Sequence, residues 1–286
     1  MKLNEEKTYL ITGGSGFLGK ELIGRLQKLG CKKVVTISRN EGNLVALKEI
    51  FPHIKIVPGD ISDPYCVEKI IQGVDGIFHL AAFKHVGLAE DNVRECVLGN
   101  VIGTMNILEI SRKYPIDFIL GISTDKAAQV SGVYGATKLI HERLFADYEK
   151  INSNTKYRIV RYGNVLYSTG SVLCKWKERI LNDEELIITD PNATRFYWTV
   201  EQAIDLIFDC LENASNSQPY VPQMKSMSVG DLLQSMIKKY LPKGNTPKIK
   251  EIGLQIGENM HEKILEKGPS SSEVDRFTID EIMELI

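Results

Sequence analysis

The chain has 286 residues, a formal net charge of −2 and 43% hydrophobic residues. This length allows a large buried core, and a charged fraction of 25% is ordinary for a globular protein. Because the net charge is close to zero, electrostatics gives no reason to expect binding to nucleic acid or to a membrane surface. Small molecules are therefore the expected ligands.

The N-terminal segment MKLNEEK lacks the apolar core of a signal peptide. Apolar runs along the chain are shorter than the roughly 20 residues that cross a bilayer. The five cysteines are scattered without a C-x-x-C pair, and none of the five histidines has a second ligand at metal spacing. We expect a soluble cytoplasmic protein with reduced thiols and no metal. The cysteines are Cys31, Cys66, Cys96, Cys174 and Cys210.

Short β-branched runs alternate with amphipathic segments from the start of the chain. The predicted strands are TYLIT, KVVTIS, IKIVPGD, GIFHLAA, DFILGIS and YRIVRYGNV. The predicted helices span residues 17–29, 44–50, 67–71, 91–113 and 136–151. This alternation is typical of βαβ units, so the sequence predicts an α/β fold with a doubly wound parallel sheet of the Rossmann type.

After residue 164 the alternation loosens, although helices are predicted at residues 172–181, 200–211 and 229–240. These segments are too few and too short for a core of their own. We therefore expect a Rossmann domain over residues 1–165, to which residues 198–225 return. Residues 166–197 and 226–286 are expected to form a small C-terminal substrate lobe.

A glycine motif follows the first predicted strand and opens the first predicted helix. Gly13, Gly16 and Gly19 form G-x-x-G-x-x-G, a spacing that places a diphosphate on backbone N–H groups at a helix N-terminus. The strand before the motif and the amphipathic helix after it favour a dinucleotide cofactor. The alternative is a glycine turn that serves only the packing of helix against strand.

The second and third predicted strands end in residues that bear on the choice of cofactor. An NAD site usually has an acidic side chain at the end of the second strand, but here Ser38 and Arg39 occupy that place. An arginine suits the 2′-phosphate of NADP, unless it is simply a solvated surface residue. Asp60 is placed to bond the adenine, or else to cap a helix or turn.

Tyr134 and Lys138 stand four residues apart, so on a helix they share a face, and the ammonium is expected to lower the phenol's pKa. Tyr65 and Lys69 have the same spacing, and we interpret that pair as accidental. The first pair follows the strand DFILGIS, which ends in a polar cluster. That cluster is Ser123, Thr124, Asp125 and Lys126.

Doubly wound folds bind ligands at the carboxyl ends of their strands, where this polar cluster is expected. A hydroxyl, a carboxylic acid, an amine and a phenol gathered there can move protons to and from a sugar. The alternative for Asp125 and Lys126 is a solvated ion pair in a loop.

The order of short motifs along the chain makes a resemblance specific. TGGSGFLG, SRNE, HLAAFKHV, NVIGTMN, STDKA, VYGATK, RYGNV, TRFYWT, YVPQMKSM and IGENMHE occur in that order. The chain resembles the small, soluble UDP-N-acetylglucosamine 4,6-dehydratases that invert C5, within the extended short-chain dehydrogenase/reductase superfamily. Tyr134, which the large membrane-anchored relatives typically replace by methionine, favours the small inverting type.

The resemblance implies NADP-dependent dehydration of UDP-N-acetylglucosamine to a UDP-2-acetamido-2,6-dideoxy-L-hexos-4-ulose, a step in 6-deoxy-aminosugar and polysaccharide biosynthesis. Thr124, Tyr134 and Lys138 would oxidise C4, with Tyr134 taking the hydroxyl proton. Lys126 would remove the C5 proton, a role that requires a depressed pKa, which Lys138 and the oxidised cofactor are expected to supply. Asp125 would protonate the departing C6 hydroxyl. A homo-oligomer is also implied.

The resemblance also implies binding residues. The expected cofactor set is Gly13, Ser15, Gly16, Phe17, Leu18, Gly19, Ser38, Arg39, Asp60, Ile61, Ala81, Ala82, Lys84, Asn100, Tyr134 and Lys138. The expected substrate set is Lys84, His85, Asn164, Ser171, Val172, Arg195 and Glu258. Arg195 is the expected diphosphate partner, unless it is a solvated loop residue, and Lys84 and His85 either face the site or belong to a polar loop.

Two further functions fit the same residues. A UDP-sugar 4-epimerase or reductase would use Thr124, Tyr134 and Lys138 without elimination, and its product would keep the C6 hydroxyl. A non-catalytic NADP-sensing scaffold would have little use for Asp125 and Lys126 beside the Tyr134 and Lys138 pair.

Overall fold

The computed structural model describes residues 3–242 and 244–286. Its strands are β1 (Tyr9–Thr12), β2 (Val34–Ser38), β3 (Lys55–Pro58), β4 (Gly76–His79), β5 (Phe118–Thr124), β6 (Lys156–Tyr162), β7 (Asn164–Val165), β8 (Leu186–Ile188), β9 (Thr194–Trp198), β10 (Pro219–Tyr220), β11 (Ser226–Ser228) and β12 (Ile249–Glu251). Its α-helices are α1 (Phe17–Lys28), α2 (Glu41–Ile50), α3 (Pro64–Ile71), α4 (Val86–Asp91), α5 (Val93–Val97), α6 (Gly103–Ser111), α7 (Val133–Ile151), α8 (Val172–Leu181), α9 (Val200–Asn213), α10 (Val229–Tyr240) and α11 (Ile279–Leu285).

A parallel sheet runs in the order β3-β2-β1-β4-β5-β6-β10. The order reverses between β1 and β4, so the crevice beyond the carboxyl ends of these two strands is the expected ligand site of a doubly wound fold. Apolar side chains fill both faces of the sheet, as a parallel sheet covered by helices requires. The predicted α/β doubly wound fold is confirmed.

A second hydrophobic cluster lies in the later part of the chain. Trp176, Met227 and Leu232 are buried in it, and α8, α10 and α11 pack around it. Two small sheets belong to this region, in the orders β11-β9-β7 and β12-β8. By contrast, α9 packs on α1 and β6, and β10 extends the large sheet.

The long helix predicted near residues 91–113 is present from Val93 to Ser111, but it is not uniform. Asn92 precedes it with a non-helical backbone (φ −128°, ψ 51°), and a π-helical turn at Leu98–Ile102 lies between α5 and α6. This turn directs Asn100 at the segment after β4, where its amide oxygen accepts from the Phe83 N–H (2.7 Å) and its amide nitrogen donates to the Phe83 carbonyl (2.9 Å). These two hydrogen bonds hold Phe83, which lines the crevice, against the helix.

Helix α7 begins three residues earlier than the predicted start at residue 136. Gly135 allows this early start to pack closely, because a Cβ there would lie 2.4 Å from the carbonyl oxygen of Lys126. Tyr134 and Lys138 consequently lie on the helix, directly against the turn that follows β5.

Candidate active site

A cleft of about 670 Å³ opens at the carboxyl ends of the central strands. It brings together most of the residues that the sequence assigned to the cofactor and to catalysis. The predicted residues that line it are Gly13, Ser15, Gly16, Phe17, Leu18, Gly19, Ser38, Arg39, Asp60, Ile61, Ala81, Ala82, Lys84, His85, Thr124, Lys126, Tyr134, Lys138 and Asn164. Asn100 lies just behind the wall, which its neighbour Gly99 lines.

The glycine turn forms one end of this cleft. Gly13 has a φ of +72°, and a Cβ on it would lie 2.9 Å from the backbone Cα of Ala81. Helix α1 begins after Gly16, which has no side chain to cap the first N–H groups. Backbone N–H groups at the positive end of a helix dipole are a ready site for a diphosphate.

Arg39 and Asp60 lie at the same end of the cleft. The Arg39 Nη1 is 3.8 Å from the Asp60 Oδ2, and 62% of the Arg39 side chain is exposed. The other carboxylate oxygen of Asp60 accepts from the Ser62 N–H at 2.9 Å, so Asp60 also caps a turn. Ser15 donates a hydrogen bond to Ser38 at 2.8 Å, which ties the glycine turn to the end of β2.

The polar cluster after β5 forms the other end of the cleft. Thr124 ends the strand, and a 3₁₀ turn at Asp125–Ala127 carries the next two polar residues. The Thr124 hydroxyl donates to Asp125 Oδ1 (2.9 Å), and the Lys126 Nζ donates to the same oxygen (3.0 Å). Asp125 is fully buried, so the pair is not a solvated loop ion pair.

The prediction that Lys138 lowers the pKa of Tyr134 is wrong, because the surrounding protein raises that pKa. Burial raises the pKa of Tyr134 to about 12, although the charge of Lys126 and a hydrogen bond with Thr124 act in the opposite direction. Burial also lowers the pKa of Lys138 to about 8, against the attraction of Glu142. Desolvation, which disfavours the charged form of each group, therefore dominates both residues.

The expected depressed pKa of Lys126 is wrong as well. Burial favours its neutral amine, but the charges of Asp125 and Glu262 outweigh burial and raise the pKa of Lys126 above its usual range. The Lys126 Nζ lies 3.2 Å from Glu262 Oε1. This carboxylate is fully buried, and sequence reasoning did not assign it a role.

Two of the residues expected to bind substrate beside the cofactor contact the loop after β7. The Lys84 ammonium donates to the Thr169 carbonyl at 2.9 Å, and the His85 ring packs against Gly170. Asn164 lines the cleft from β7, whereas Ser171 and Val172 lie at the start of α8, outside the lining.

Arg195 and Glu258 are also outside the lining of the cleft. Arg195 is not a solvated loop residue, because it lies buried in β9 and its guanidinium donates to the carbonyls of Thr194 (2.9 Å) and Met260 (3.1 Å). Glu258 accepts a hydrogen bond from the backbone N–H of Gln255. The structure therefore does not bring these two side chains to the cleft.

Two buried polar groups behind the cleft were not anticipated. Arg161 pairs with Glu142 through two hydrogen bonds (2.9 and 2.6 Å), and Ser123 donates to the same carboxylate. His79 and His141 both contact the hydroxyl of Thr104, at 3.0 and 2.9 Å. The residues of each group are far apart in the sequence, so no short motif indicates that they contact one another.

The tyrosine and lysine at positions 65 and 69 lie elsewhere. Tyr65 is 75% exposed on α3 and does not line the cleft. This placement provides a matched control for Tyr134.

The parallel sheet and the cleft at its carboxyl edge define a doubly wound protein of the Rossmann type. The chain belongs to the polysaccharide biosynthesis protein family, whose model matches residues 9–284.

Individual proteins support this membership. A UDP-N-acetylglucosamine 4,6-dehydratase (inverting) of Campylobacter jejuni is 32% identical over 271 residues, which cover 93% of this chain and 79% of the relative. An uncharacterized membrane protein of Methanocaldococcus jannaschii is 37% identical over 269 residues, with coverages of 91% and 81%. The X-ray structure of Pen from Bacillus thuringiensis matches with a TM-score of 0.92 at 30% identity and covers 98% of this chain and 96% of its own. The resemblance that the ordered motifs indicated is confirmed.

Over residues 3–242 and 244–286, each helix is too short or too polar to span a membrane.

Proposed function

We propose that this protein is an NADP-dependent nucleotide-sugar 4,6-dehydratase that converts UDP-N-acetylglucosamine to the 6-deoxy-4-keto sugar with inversion at C5. One observation carries the proposal: Lys126, which lines the same cleft as Thr124, Tyr134 and Lys138, is paired at 3.0 Å with Asp125, which is fully buried and does not itself line the cleft. Oxidation at C4 alone needs only Thr124, Tyr134 and Lys138. The buried acid and amine beside them provide for an elimination.

The relative from Campylobacter jejuni, which is named for this activity, supports the proposal. Its similarity extends over 93% of the present chain, and the family model, which matches residues 9–284, includes both the cofactor end of the cleft and the segment that contains Glu262.

The residues at the cofactor end fit a dinucleotide. Gly13 packs against the backbone of Ala81 with no room for a side chain, and the start of α1, which has no side-chain cap, lines the same cleft. Arg39 offers a cation for a 2′-phosphate, with Asp60 close enough to orient the guanidinium. A nicotinamide held by these residues would supply the acceptor for the C4 hydride and the donor of that hydride to C6.

Tyr134 accepts the proton of the C4 hydroxyl, and Thr124 holds that hydroxyl in place. The resulting 4-keto group acidifies the C5 hydrogen. The Asp125–Lys126 pair then needs a free amine and a neutral acid. Moving one proton along the 3.0 Å bond from Lys126 Nζ to Asp125 Oδ1 provides both groups.

With that proton moved, Lys126 takes the C5 proton and Asp125 gives its proton to the C6 hydroxyl, which departs as water. The second carboxylate oxygen of Asp125, Oδ2, is buried without a hydrogen-bond partner among the described residues. Neutralising Asp125 removes the cost of leaving that oxygen charged and unpaired. A solvent proton that adds to C5 on the face opposite Lys126 gives the L configuration.

For the substrate we propose contacts from Lys84, His85 and Asn164, which line the cleft beyond Tyr134. Residues 166–197 and 226–286 would form the lobe that covers the sugar nucleotide. Ser171, Val172 and Glu258 would contact the nucleotide if that lobe moves toward the cleft. We also propose that the protein is a homo-oligomer.

The test is incubation of the NADP-loaded protein with UDP-N-acetylglucosamine in deuterated water, followed by NMR of the sugar. We expect a C6 methyl group, a keto or hydrated C4, deuterium at C5 and the L configuration. A product that keeps its C6 hydroxyl and differs only at C4 would instead identify a 4-epimerase. Tyr134→Phe protein is the control for non-enzymatic change.

The choice of cofactor gives a separate prediction. The purified protein should release NADP rather than NAD, and Arg39→Met should weaken NADP binding by roughly 10- to 100-fold, since a hydrogen bond to a charged group contributes about 1.5–3 kcal/mol. NAD binding should change little. Chromatography of the released nucleotide and calorimetric titration measure these results.

Arg94→Met is the control for the Arg39 variant, because Arg94 is an exposed arginine paired with Glu95 outside the cleft. Release of mostly NAD, or equal loss of NAD and NADP binding in Arg39→Met, would contradict the assignment.

A further inference from the structure

Glu262 sits at the centre of a buried group of four charges. Its Oε1 lies 3.2 Å from the Lys126 Nζ and 3.8 Å from the Arg195 Nε. Asp125 completes the group through its 3.0 Å contact with the same ammonium. Two carboxylates and two cations therefore meet in a largely buried site, where their mutual attraction is stronger than in water.

The backbone holds Glu262 firmly in this position. Its N–H donates to the Ser271 hydroxyl (2.9 Å), and its carbonyl accepts from the Ser271 N–H (2.7 Å). The neighbouring His261 forms a bridge with Thr194 of β9, which adjoins Arg195. The segment around Glu262 is thus fastened to the strand that carries the second cation.

Glu262 Oε1 has no well-aligned hydrogen bond among the described residues, although it contacts two cations. An acceptor buried in this way interacts mainly through its charge. That charge favours the ammonium form of Lys126, whereas the mechanism needs the amine. The guanidinium of Arg195 acts on Lys126 in the opposite direction.

We propose that Glu262 and Arg195 are positioning residues that together determine where the shared proton of the Asp125–Lys126 pair rests. This inference depends on the proposed function, because it assigns a role within that elimination. Glu262 holds the Lys126 ammonium at the cleft, and Arg195 offsets enough of the carboxylate charge for the proton to reach Asp125. Arg195 thereby has a role other than binding a diphosphate.

The groups that act on Lys126 come from every side. Asp125 belongs to its own turn, Glu262 to the segment fastened to β9, and Arg195 to β9 itself. Tyr134 on α7 and Tyr197 on β9 also interact with its charge, and both have raised pKa values because of burial. Glu262 and Arg195 are the two of these residues that lie outside the Lys126 turn and are joined to it by ion-pair contacts, so substitutions at these two positions test the proposal.

The test measures the reactivity of Lys126 without substrate. The NADP-loaded full-length protein is treated with a small acylating reagent across a range of pH, and modification of Lys126 is followed by mass spectrometry. Glu262→Gln removes a negative charge, so the pKa of Lys126 should fall and labelling should begin at lower pH. We expect a shift of about one pH unit or more, the range typical of one close charge.

Arg195→Gln should shift the labelling of Lys126 to higher pH, because it removes a cation. Glu262→Asp retains the charge and should stay near the unmodified profile. Glu266→Gln is the matched control: Glu266 pairs with Arg161 and does not contact Lys126. An unchanged profile in Glu262→Gln, or shifts of the same direction in Glu262→Gln and Arg195→Gln, would overturn the proposal.

Circular dichroism and NADP binding check that each variant folds. If Glu262→Gln does not fold, the direction of the Arg195→Gln shift decides alone, and a shift to lower pH would overturn the inference.

The pH dependence of C5 deuterium exchange with UDP-N-acetylglucosamine links the inference to the reaction. Its rising limb should move to lower pH in Glu262→Gln, parallel to the labelling profile. If labelling shifts as expected but even the unmodified protein exchanges no C5 deuterium, the proposed dehydration fails while the coupling of Glu262 to Lys126 stands. The two failures are therefore distinguishable.

Discussion

Tyr134→Phe should abolish hydride transfer to NADP and with it every later step. The substitution removes only the hydroxyl that accepts the C4 proton, so the rate should fall by at least about 10²- to 10⁴-fold, the usual effect of losing a general base. Single-turnover absorbance in the reduced-nicotinamide band measures the first step, and NMR of the sugar measures the product.

The fold and the cofactor end of the cleft should be unaffected by this change, because Tyr134 lies at the opposite end from Gly13 and Arg39. Thermal unfolding and NADP binding should therefore match the unmodified protein. Tyr65→Phe is the internal control and should keep full activity, since Tyr65 is exposed on α3. Equal loss of activity in both variants would show that the wrong tyrosine was chosen.

The direction of the pH dependence follows from the environment of Tyr134. A pKa of about 12 means that the phenol is protonated at neutral pH in the protein's own field. Because the oxidation needs the phenolate, its rate should rise with pH through the neutral range. Lys138, with a pKa of about 8, loses its charge over part of the same range, so its contribution to stabilising the phenolate declines as pH rises.

The sequence was sufficient for six of the seven strands of the central sheet and for most of the cleft. β1, α1 and β2 are local units, and Gly13, Gly16 and Gly19 mark the turn between the first two by a short-range pattern. The carboxyl ends of parallel strands meet at one edge, so the residues that follow β1, β4 and β5 were bound to converge. The position of these residues relative to a strand end was therefore enough to predict that they line one cleft.

Features that depend on long-range packing could not be predicted. β9 and β11 were not predicted, because they belong to a small sheet outside the βαβ alternation and pair across segments that are distant in the sequence. The π-helical turn around Asn100 accompanies hydrogen bonds to Phe83 in the segment after β4, and the amphipathic pattern gives no sign of it.

The expected pKa of Lys126 was wrong because it, too, depends on long-range packing. Glu262 occurs in the recognised motif IGENMHE, but nothing in that motif shows that its carboxylate contacts Lys126. Without this partner, Lys126 was expected to have its pKa depressed by Lys138 and the oxidised cofactor. Arg195 was assigned to the diphosphate by the resemblance, with a solvated loop residue as the alternative, and the sequence did not show that β9 buries it.

Lys126→Met should separate oxidation from elimination. Hydride should still pass from C4 to NADP, because Thr124, Tyr134 and Lys138 remain, and a transient absorbance of reduced nicotinamide should accumulate. Release of 6-deoxy product and exchange of solvent deuterium into C5 should both fall by about 10²- to 10⁴-fold, since methionine cannot accept the C5 proton.

Asp125→Asn provides the contrast. The amide cannot protonate the C6 hydroxyl, so loss of water should slow, while the amine of Lys126 can still exchange C5 deuterium. Replacing the carboxylate also removes one of the two charges that raise the pKa of Lys126, so C5 exchange should begin at lower pH than in the unmodified protein. Exchange in Lys126→Met at the unmodified rate would show that another group is the base, and Lys126 would then only bind or orient the sugar.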